Sequence, residues 1–190
     1  KLARRDGIDI AIDLSGYTKN GRPQIFAHRA APIQVSYLGF PGSMGANFMD
    51  YIIVDKNLVP SENQKYYSEK PIYLPRHFQA QDNSLSLEKA RCKRELGLPE
   101  DTFIFCAINN TYKITSEEFD IWMRLLHEVP DSVLWLYAAN EIARENLIKQ
   151  AGNRGISSDR LVFTKLVAFN NYINQLAHAD LYLDTFNYNA

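Results

Sequence analysis

The sequence is poor in cysteine, in net charge and in long apolar runs. The 190 residues include only two cysteines, Cys92 and Cys106. There are 21 basic residues and 22 acidic ones. Two cysteines without a CxxC spacing predict reduced thiols in a cytoplasmic protein rather than a disulfide framework. A formal net charge of −1 gives no global attraction to nucleic acid. No apolar run approaches the roughly 20 residues that a membrane-spanning helix needs, so we expect no membrane partner.

Several motifs that would identify a chemistry are also missing. No GxGxxG, GxxxxGK[ST] or GxSxG sequence occurs, so dinucleotide, P-loop and hydrolase-nucleophile interpretations lose their main support. The four histidines are scattered, and we expect neither a metal nor a cofactor. Asp180 and Asp184 flank a predicted strand. Metal binding is one use of such a pair, but capping the following loop is the more common one.

The first part of the chain alternates short strands with loops and short helices. Strands are predicted at residues 8–13, 33–38, 50–55 and 70–75, with short helices after Pro23 and Pro60. Prolines near both ends of the fourth strand predict that it lies at a sheet edge. A polar segment, residues 76–87, follows, and we interpret it as a linker between two lobes.

The second part alternates more regularly. A helix is predicted at residues 87–96 with Gly97 as its cap. Thr115 and Glu118 have the spacing of a capping box at the start of another helix. Four strands separated by three helices predict the α/β class with a doubly wound parallel sheet. The strands are at residues 103–108, 132–137, 160–163 and 181–184, and the helices are at 115–128, 140–153 and 169–178.

The stretch Phe103–Lys113 joins an apolar strand to a polar loop just before a helix. In such units ligands bind outside the carboxyl ends of the strands, and a helix N-terminus favours an anion. Lys113 lies at that point of the pattern, which makes it a candidate phosphate ligand. The alternative is a surface lysine in an ordinary loop, and the spacing alone does not separate the two.

Six loops follow predicted strands, at residues 15–22, 39–45, 109–113, 137–140, 164–172 and 185–190. If two αβ lobes face each other, these loops line one cleft, where glycines let main-chain N–H groups approach a ligand. An aromatic side chain such as Tyr172 is suited to stack on a base. The pattern fits a sugar-nucleotide site, but loops without any function would show the same pattern.

Seven blocks of the sequence, in order, resemble the catalytic region of the O-linked N-acetylglucosamine transferases, whose relatives include the plant SPINDLY-type protein O-fucosyltransferases. The resemblance runs from near residue 6 to residue 190. Several of the blocks are long enough to be specific. They are Asp13–Lys19 (DLSGYTK), Ala31–Gly42 (APIQVSYLGFPG), Phe48–Ile53 (FMDYII), Leu96–Pro99 (LGLP), Tyr112–Ile114 (YKI), Val129–Leu136 (VPDSVLWL) and Ala179–Thr185 (ADLYLDT).

The resemblance implies an α/β, GT-B-like fold with two Rossmann-like lobes, both incomplete in this chain. Residues 1–80 would form the later part of the N-terminal catalytic lobe, and residues 81–190 the first half of the C-terminal nucleotide-sugar-binding lobe. A His-Thr-Thr segment would follow Ala190, and tetratricopeptide repeats are expected in the full-length protein. The long insertion of the animal enzymes is missing, which predicts a bacterial form. Because the implied missing ends would hold part of the phosphate site and the general base, we expect the 190 residues alone to be inactive.

The resemblance also implies roles for individual residues of the second lobe. Lys113 takes the place of a lysine that contacts the diphosphate, and it is the catalytic candidate. Asn110 matches a polar neighbour that contacts the nucleotide sugar, and Tyr172 matches a ring that stacks on uracil. Tyr188 falls close to the N-acetyl group of the sugar. Phe169 stands where animal relatives have a lysine that contacts the base or the ribose.

In the first lobe the resemblance assigns four positions to the nucleotide sugar. Leu38, Gly39 and Pro41 fall on the loop that lines the sugar and phosphate pocket, and Lys19 matches a lysine near that pocket. The implied reaction is an inverting, metal-independent transfer of GlcNAc from UDP-GlcNAc to serine or threonine hydroxyls of a protein acceptor. Two alternatives stay open: a GDP-fucose-dependent protein O-fucosyltransferase of the SPINDLY type, and a non-catalytic interaction fragment.

Overall fold

A computed structural model describes residues 1–80 and 92–189 of the chain. Contacts between Cα atoms divide the chain into two compact units, Lys1–Ser84 and Leu85–Ala190. Each unit is an α/β structure built on its own four-stranded parallel sheet. The assignment of these units to particular lobes of an enzyme stays a prediction.

The first unit is a parallel sheet with short helical connections. Its strands lie in the order β1-β2-β3-β4, and β4 is at an edge, as its prolines predict. Residue 10 pairs with residue 33, 35 with 51, and 51 with 70. The elements are α1 (Leu2–Arg5), β1 (Ile10–Asp13), α2 (Gln24–Ala27), β2 (Ile33–Ser36), β3 (Tyr51–Val54), a 3-10 helix (Ser61–Tyr66) and β4 (Lys70–Tyr73).

One buried polar side chain of the first unit, Gln34, has partners for both the nitrogen and the oxygen of its amide. Gln34 is fully buried in β2, and its amide nitrogen donates to the main-chain oxygens of Phe26 (2.9 Å) and Phe48 (2.6 Å). Its amide oxygen accepts from the N–H of Ala30 at 2.7 Å. These bonds hold the chain between α2 and β3 around one buried side chain. They also avoid the cost of about 1 to 3 kcal/mol that an unpaired buried amide would have.

The second unit has longer helices and a larger core. Its elements are a 3-10 helix (Lys93–Leu96), β5 (Phe103–Ala107), a 3-10 turn (Thr111–Lys113), α3 (Ser116–Glu128), β6 (Ser132–Tyr137), α4 (Glu141–Gly152), a 3-10 turn (Ser158–Arg160), β7 (Leu161–Thr164), α5 (Phe169–Leu176) and β8 (Leu181–Tyr182). The core packs the apolar stripe of α3 on the sheet. Trp122, Met123 and Leu126 of α3 meet Leu134 and Leu136 of β6 there.

The predicted capping box of α3 is present. The Thr115 hydroxyl accepts from the N–H of Glu118, and the Glu118 carboxylate accepts from the N–H of Thr115 at 2.7 Å. Asn140 caps α4 through its side-chain oxygen, which accepts from the N–H of Ala143 at 2.8 Å. Cys106 is buried in β5, and burial raises the pKa of its thiol to about 12. Both cysteines are free.

Some element lengths differ from the sequence-based predictions. The predicted helix at residues 87–96 falls partly outside the described residues. Its described part is the 3-10 helix Lys93–Leu96, and Gly97 ends it in the left-handed conformation (φ 72°), as predicted. The helix predicted to end at residue 178 ends at Leu176, and the strand predicted at 181–184 is only two residues long.

The sheet of the second unit runs in the order β7-β6-β5-β8, with all strands parallel. The chain leaves β5 in one direction, through β6 and β7, and returns to the other side of β5 as β8. The strand order therefore reverses between β5 and β8, and such a topological switch point is where α/β folds bind ligands. Within residues 1–80 and 92–189, no helix is long and apolar enough to cross a membrane.

Candidate functional site

A cavity of about 340 Å³ lies at the carboxyl ends of β5, β6 and β7. Asn110 and Tyr172 both line it, so the structure brings together two residues that are 62 positions apart in the sequence. Their roles toward a ligand stay predictions. The other lining residues are Ile108, Asn109, Tyr137, Thr164, Lys165, Leu166, Val167, Phe169 and Gln175.

The hydroxyl of Tyr172 contacts a second tyrosine, Tyr182. Tyr172 is half-buried, and its hydroxyl shares a hydrogen bond with the hydroxyl of Tyr182 on β8. Burial raises the pKa of both tyrosines, so both are protonated at neutral pH. The Tyr182 hydroxyl also donates to the main-chain oxygen of Ile108 at 3.3 Å. Tyr182 on β8 thus links Tyr172 at the cavity wall to the main chain at Ile108.

Lys113 lies at the switch point rather than in the cavity wall. It ends the 3-10 turn after β5, and its ammonium group donates to the main-chain oxygen of Asn189 in the loop after β8 at 3.0 Å. The first turn of α3 carries Glu117 and Glu118. These carboxylates already offset the positive end of the helix dipole. Lys113, rather than the helix N-terminus, is therefore the main positive charge of this loop.

The loop after β8 is tied to the loop after β5 at two further points. Asn109 donates from its amide nitrogen to the hydroxyl of Thr185 at 3.2 Å, and that hydroxyl donates to the main-chain oxygen of Tyr188 at 2.5 Å. Glu118 accepts from the N–H of Phe186. The main chain at Tyr188 is thus held near Asn109, whereas the Tyr188 side chain is 58% exposed.

Glu118 connects the capping of α3 to the position of the β8 loop. Its side chain is fully buried. Burial alone raises the pKa of this carboxyl, but the N–H groups of Phe186 and Thr115 outweigh that effect and leave the pKa below its usual value. The sequence predicted the capping role of Glu118 but not its bond to Phe186, because no local pattern links residues 68 positions apart.

Asp184 fills the more common of the two predicted uses, capping the following loop, whereas Asp180 does not cap that loop and bonds the neighbouring strand. Asp184 accepts from the N–H of Thr185 at 2.8 Å and from the amide of Asn189 at 3.0 Å, so it closes its own loop. Asp180 accepts from the N–H of Ile104 at 2.8 Å and fastens β8 to β5. Across the two described ranges, no three His, Cys, Asp or Glu side chains group together as a metal site would need.

The first unit holds the other predicted positions on two adjacent loops. Leu38 adopts a left-handed backbone (φ 68°), a strained conformation for a leucine, and its side chain is 41% exposed. Gly39 lies against the loop after β1, where an added Cβ would come within 2.6 Å of the main-chain oxygen of Ser15. Pro41 accepts at its main-chain oxygen from the Tyr67 hydroxyl at 3.1 Å.

Lys19 lies in a turn that begins directly after β1. The N–H of Thr18 donates to the oxygen of Ser15, and the N–H of Gly21 donates to that of Thr18, so the turn is compact and Lys19 is exposed on it. Asp13 ends β1 beneath this turn and is a residue that the sequence reasoning did not single out. One of its oxygens accepts from the N–H groups of Ser15 and Gly16, both at 3.0 Å.

The model of glycosyl transferase family 41 matches residues 1–94 and 86–190, which together span the whole chain. The chain belongs to this family. A probable UDP-N-acetylglucosamine–peptide N-acetylglucosaminyltransferase SEC from Arabidopsis thaliana is 37% identical over 97% of the chain, and the match covers 20% of that protein. A UDP-N-acetylglucosamine–peptide N-acetylglucosaminyltransferase from Caenorhabditis elegans is 25% identical over 97% of the chain and 26% of its own length. The chain thus spans about a fifth to a quarter of these relatives.

Solved structures of the same kind confirm the predicted fold. An O-GlcNAc transferase variant from Thermobaculum terrenum matches all of this family 41 chain with a TM-score of 0.84 and 27% identity, and the match covers 36% of that structure. The pneumococcal O-GlcNAc transferase GtfA matches 95% of the chain with a TM-score of 0.55 and 12% identity, which shows a shared fold alone. The α/β, GT-B-like class predicted from the sequence is therefore confirmed, with a four-stranded parallel sheet in each unit.

Proposed function

We propose that this chain is part of an enzyme that transfers GlcNAc from UDP-GlcNAc to serine or threonine hydroxyls of proteins. The observation that carries the proposal is the position of Lys113 at the switch point of the second sheet, in a chain of glycosyl transferase family 41. The cavity beside it supplies the aromatic and amide groups that a nucleotide needs. The names of the relatives from Arabidopsis thaliana and Caenorhabditis elegans support the same donor and a peptide acceptor.

In the proposed reaction the acceptor oxygen attacks the anomeric carbon from the face opposite to the UDP. The bond between that carbon and the phosphate oxygen breaks, and UDP leaves with the bonding electrons, so the configuration inverts. The hydroxyl proton passes to a general base, a role that we assign to none of the described residues. Lys113 stabilises the negative charge that develops on the leaving diphosphate, an effect worth about 3 to 4 kcal/mol at comparable sites.

The proposed site uses no metal and no cofactor besides the donor. The ammonium of Lys113 is a positive charge at the place where the diphosphate would develop its own charge, and it serves without a cation. Leu38, Gly39, Pro41 and Lys19 are the proposed contacts of the first unit with the donor. Treating the full-length protein with EDTA is expected to leave transfer unchanged, and loss of activity restored by a divalent cation would reject this part of the proposal.

The larger protein is proposed to act in the cytoplasm, to carry tetratricopeptide repeats for its acceptors, and to require residues beyond these 190 for activity. The first test is calorimetric titration of UDP and of GDP into the full-length protein, together with transfer of labelled GlcNAc to a peptide. UDP is expected to bind more tightly than GDP. Preference for GDP would instead favour the fucosyltransferase alternative.

A separate measurement addresses the fragment itself. The 190 residues are expected to release no GlcNAc from UDP-GlcNAc, whereas the full-length protein does. Turnover by the fragment would show that the residues proposed to be required lie within it. An inactive full-length protein that binds neither nucleotide would leave the interaction-fragment alternative.

A further inference from the structure

Glu69 is a buried carboxylate in the first unit, and both of its oxygens accept hydrogen bonds from one loop. It lies directly before β4 and is only 2% exposed. Oε2 accepts from the Ser43 hydroxyl at 2.7 Å, and Oε1 accepts from the N–H of Met44 at 2.8 Å. Among residues 1–80 and 92–189, no basic side chain forms a salt bridge with it. A buried charge without a cationic partner is expensive for the fold, so its place calls for an explanation.

The Ser43 hydroxyl is the centre of this contact. It donates to Glu69, and its oxygen accepts from the N–H groups of Gly45 at 3.0 Å and Ser68 at 3.2 Å. Both lone pairs of the hydroxyl are therefore taken, and its proton is directed at the carboxylate. Glu69 thus faces two donors, the Ser43 hydroxyl and the Met44 N–H. A carboxylate accepts from both, whereas a glutamine amide has a single oxygen and cannot.

These bonds hold the loop of residues 38–45, in which the proposed function places donor contacts at Leu38, Gly39 and Pro41. The two ends of the loop, Leu38 and Gly45, both adopt a left-handed backbone, with φ of 68° and 58°. A leucine is disfavoured in that conformation. The loop therefore depends on contacts elsewhere that hold its main chain.

The short segment Tyr67–Glu69 supplies several of those contacts. The Tyr67 hydroxyl donates to the main-chain oxygen of Pro41 at 3.1 Å, while Glu69 holds Ser43 and Met44. Burial and the nearby charge of Glu69 raise the pKa of Tyr67, so its hydroxyl carries a proton at neutral pH. One segment next to β4 therefore fixes the loop at three of its residues.

We propose that Glu69 is a positioning residue, which holds residues 38–45 in the conformation that contacts the sugar of the donor. This inference rests on the proposed function, in which that loop contacts UDP-GlcNAc. Glu69 does not itself touch the donor and acts through Ser43 and Met44. The role needs a carboxylate, because both partners are hydrogen-bond donors.

The nucleotide and the sugar of the donor report on different units. Lys113 and Tyr172, which are proposed to hold UDP, belong to the second unit, whereas residues 38–45 belong to the first. A loop that has lost its support is therefore expected to weaken the binding of UDP-GlcNAc more than the binding of UDP. A residue that only stabilised the fold would lower the unfolding temperature and leave the ratio of the two affinities unchanged.

The test is calorimetric titration of UDP and of UDP-GlcNAc, without an acceptor, into the full-length protein and its Glu69→Gln variant. Glutamine keeps the shape but turns an N–H group toward the Ser43 hydroxyl or the Met44 N–H, so one bond is lost. The Kd for UDP-GlcNAc is expected to rise about tenfold, and the Kd for UDP to stay within about twofold. The matched control is Glu62→Gln, which changes an exposed glutamate of the 3-10 helix Ser61–Tyr66 and should bind both ligands as the wild type does.

A second variant keeps the proposal testable if Glu69→Gln fails to fold. Ser43→Ala removes the hydroxyl that Glu69 binds but leaves the carboxylate with the N–H of Met44. It is expected to show the same selective loss for UDP-GlcNAc, of about fivefold. In the double variant the loss should stay well below the product of the two single losses, because both substitutions break the same bond.

The outcomes separate this inference from the proposed function. If both variants bind the two ligands as the wild type does, or lose affinity for both ligands equally, Glu69 does not position the loop and the proposed donor stands. Losses that multiply in the double variant would likewise overturn the route through Ser43. If the wild type does not bind UDP-GlcNAc, both the proposed function and this inference are rejected.

Discussion

The ammonium group of Lys113 lies 3.0 Å from the main-chain oxygen of Asn189, and this bond joins the loops that follow β5 and β8. The bond is exposed, so it contributes little to the stability of the unit. It does hold the charge at the switch point, which is where the proposed reaction develops negative charge on the leaving diphosphate. Lys113 is therefore expected to matter for turnover far more than for folding.

Replacing Lys113 by alanine in the full-length protein is expected to lower kcat by about 100- to 1,000-fold, because it removes a preorganised charge from the leaving group. Thermal unfolding should change by no more than about 0.5 kcal/mol. The matched control is Lys149→Ala, which removes an exposed lysine from α4. Unchanged kcat in Lys113→Ala would remove Lys113 from the proposed mechanism.

Tyr172 is expected to act through its ring rather than its hydroxyl. Tyr172→Ala should weaken UDP binding by about 1 to 3 kcal/mol, the range of one stacking contact with a base. Tyr172→Phe keeps the ring and loses only the bond with Tyr182, so its loss should be no more than about threefold. Calorimetric titration of UDP measures both. Equal losses in the two variants would indicate that the hydroxyl, not the ring, contacts the nucleotide.

Glu118 is expected to stabilise the second unit most strongly at neutral pH. Its folded pKa lies below its usual value, so its contribution is present above the unfolded pKa and is lost as the pH falls through the folded pKa. Glu118→Ala leaves the N–H groups of Phe186 and Thr115 without this acceptor, and we expect a cost of about 2 to 3 kcal/mol at pH 7.

Glu118→Gln separates charge from hydrogen bonding, since glutamine also fits a capping box. Its cost should be about 1 kcal/mol at pH 7. The difference between wild type and Glu118→Gln should shrink as the pH falls from 7 through the ordinary glutamate pKa of about 4.3 and below it, because the unfolded chain takes up its proton before the folded chain does. Urea unfolding at several pH values measures this. A difference that stays constant with pH would contradict the depressed pKa.

Gly39 tests how closely the two loops of the first unit approach each other. In Gly39→Ala the new Cβ meets the main-chain oxygen of Ser15 at 2.6 Å, and a main-chain atom cannot move aside cheaply. We expect a loss of about 1 to 3 kcal/mol in the free energy of unfolding. Gly152→Ala is the matched control, because nothing lies within 4 Å of its Cβ at the end of α4. The control should gain up to about 1 kcal/mol.

The sequence predicts the elements of this fold better than their arrangement. The alternation around β5, β6 and β7 and the capping box at Thr115 are confirmed, since both depend on neighbouring residues. Nothing local indicates that the two-residue strand β8 pairs with β5 rather than extending the sheet beyond β7. That choice depends on tertiary packing and on Asp180, which fastens β8 to Ile104.

For the candidate site, too, the sequence indicates some residues and not others. Lys113, Asn110 and Tyr172 were identified from motifs, and the structure places Asn110 and Tyr172 on one cavity. Glu69 was not identified, because a glutamate before a strand has no local sign of a bond to a loop 26 residues earlier. That contact forms only when the first sheet has folded. Which buried polar groups bond one another is thus a property of the folded molecule and cannot be read from spacing.

The place of β8 beside β5 also sets the order in which the site can form. Phe105 and Cys106 pair with Leu181 and Tyr182, which come some 76 residues later in the chain. This side of β5 is therefore unpaired until those residues have been synthesised. Contacts of such long sequence separation close late in folding, because the loop entropy is lost before the contact is gained. During synthesis, the end of the second unit that carries Lys113 therefore stays unassembled until Asn189 has left the ribosome. Premature termination before β8 would yield a chain with a nearly complete core and no switch point.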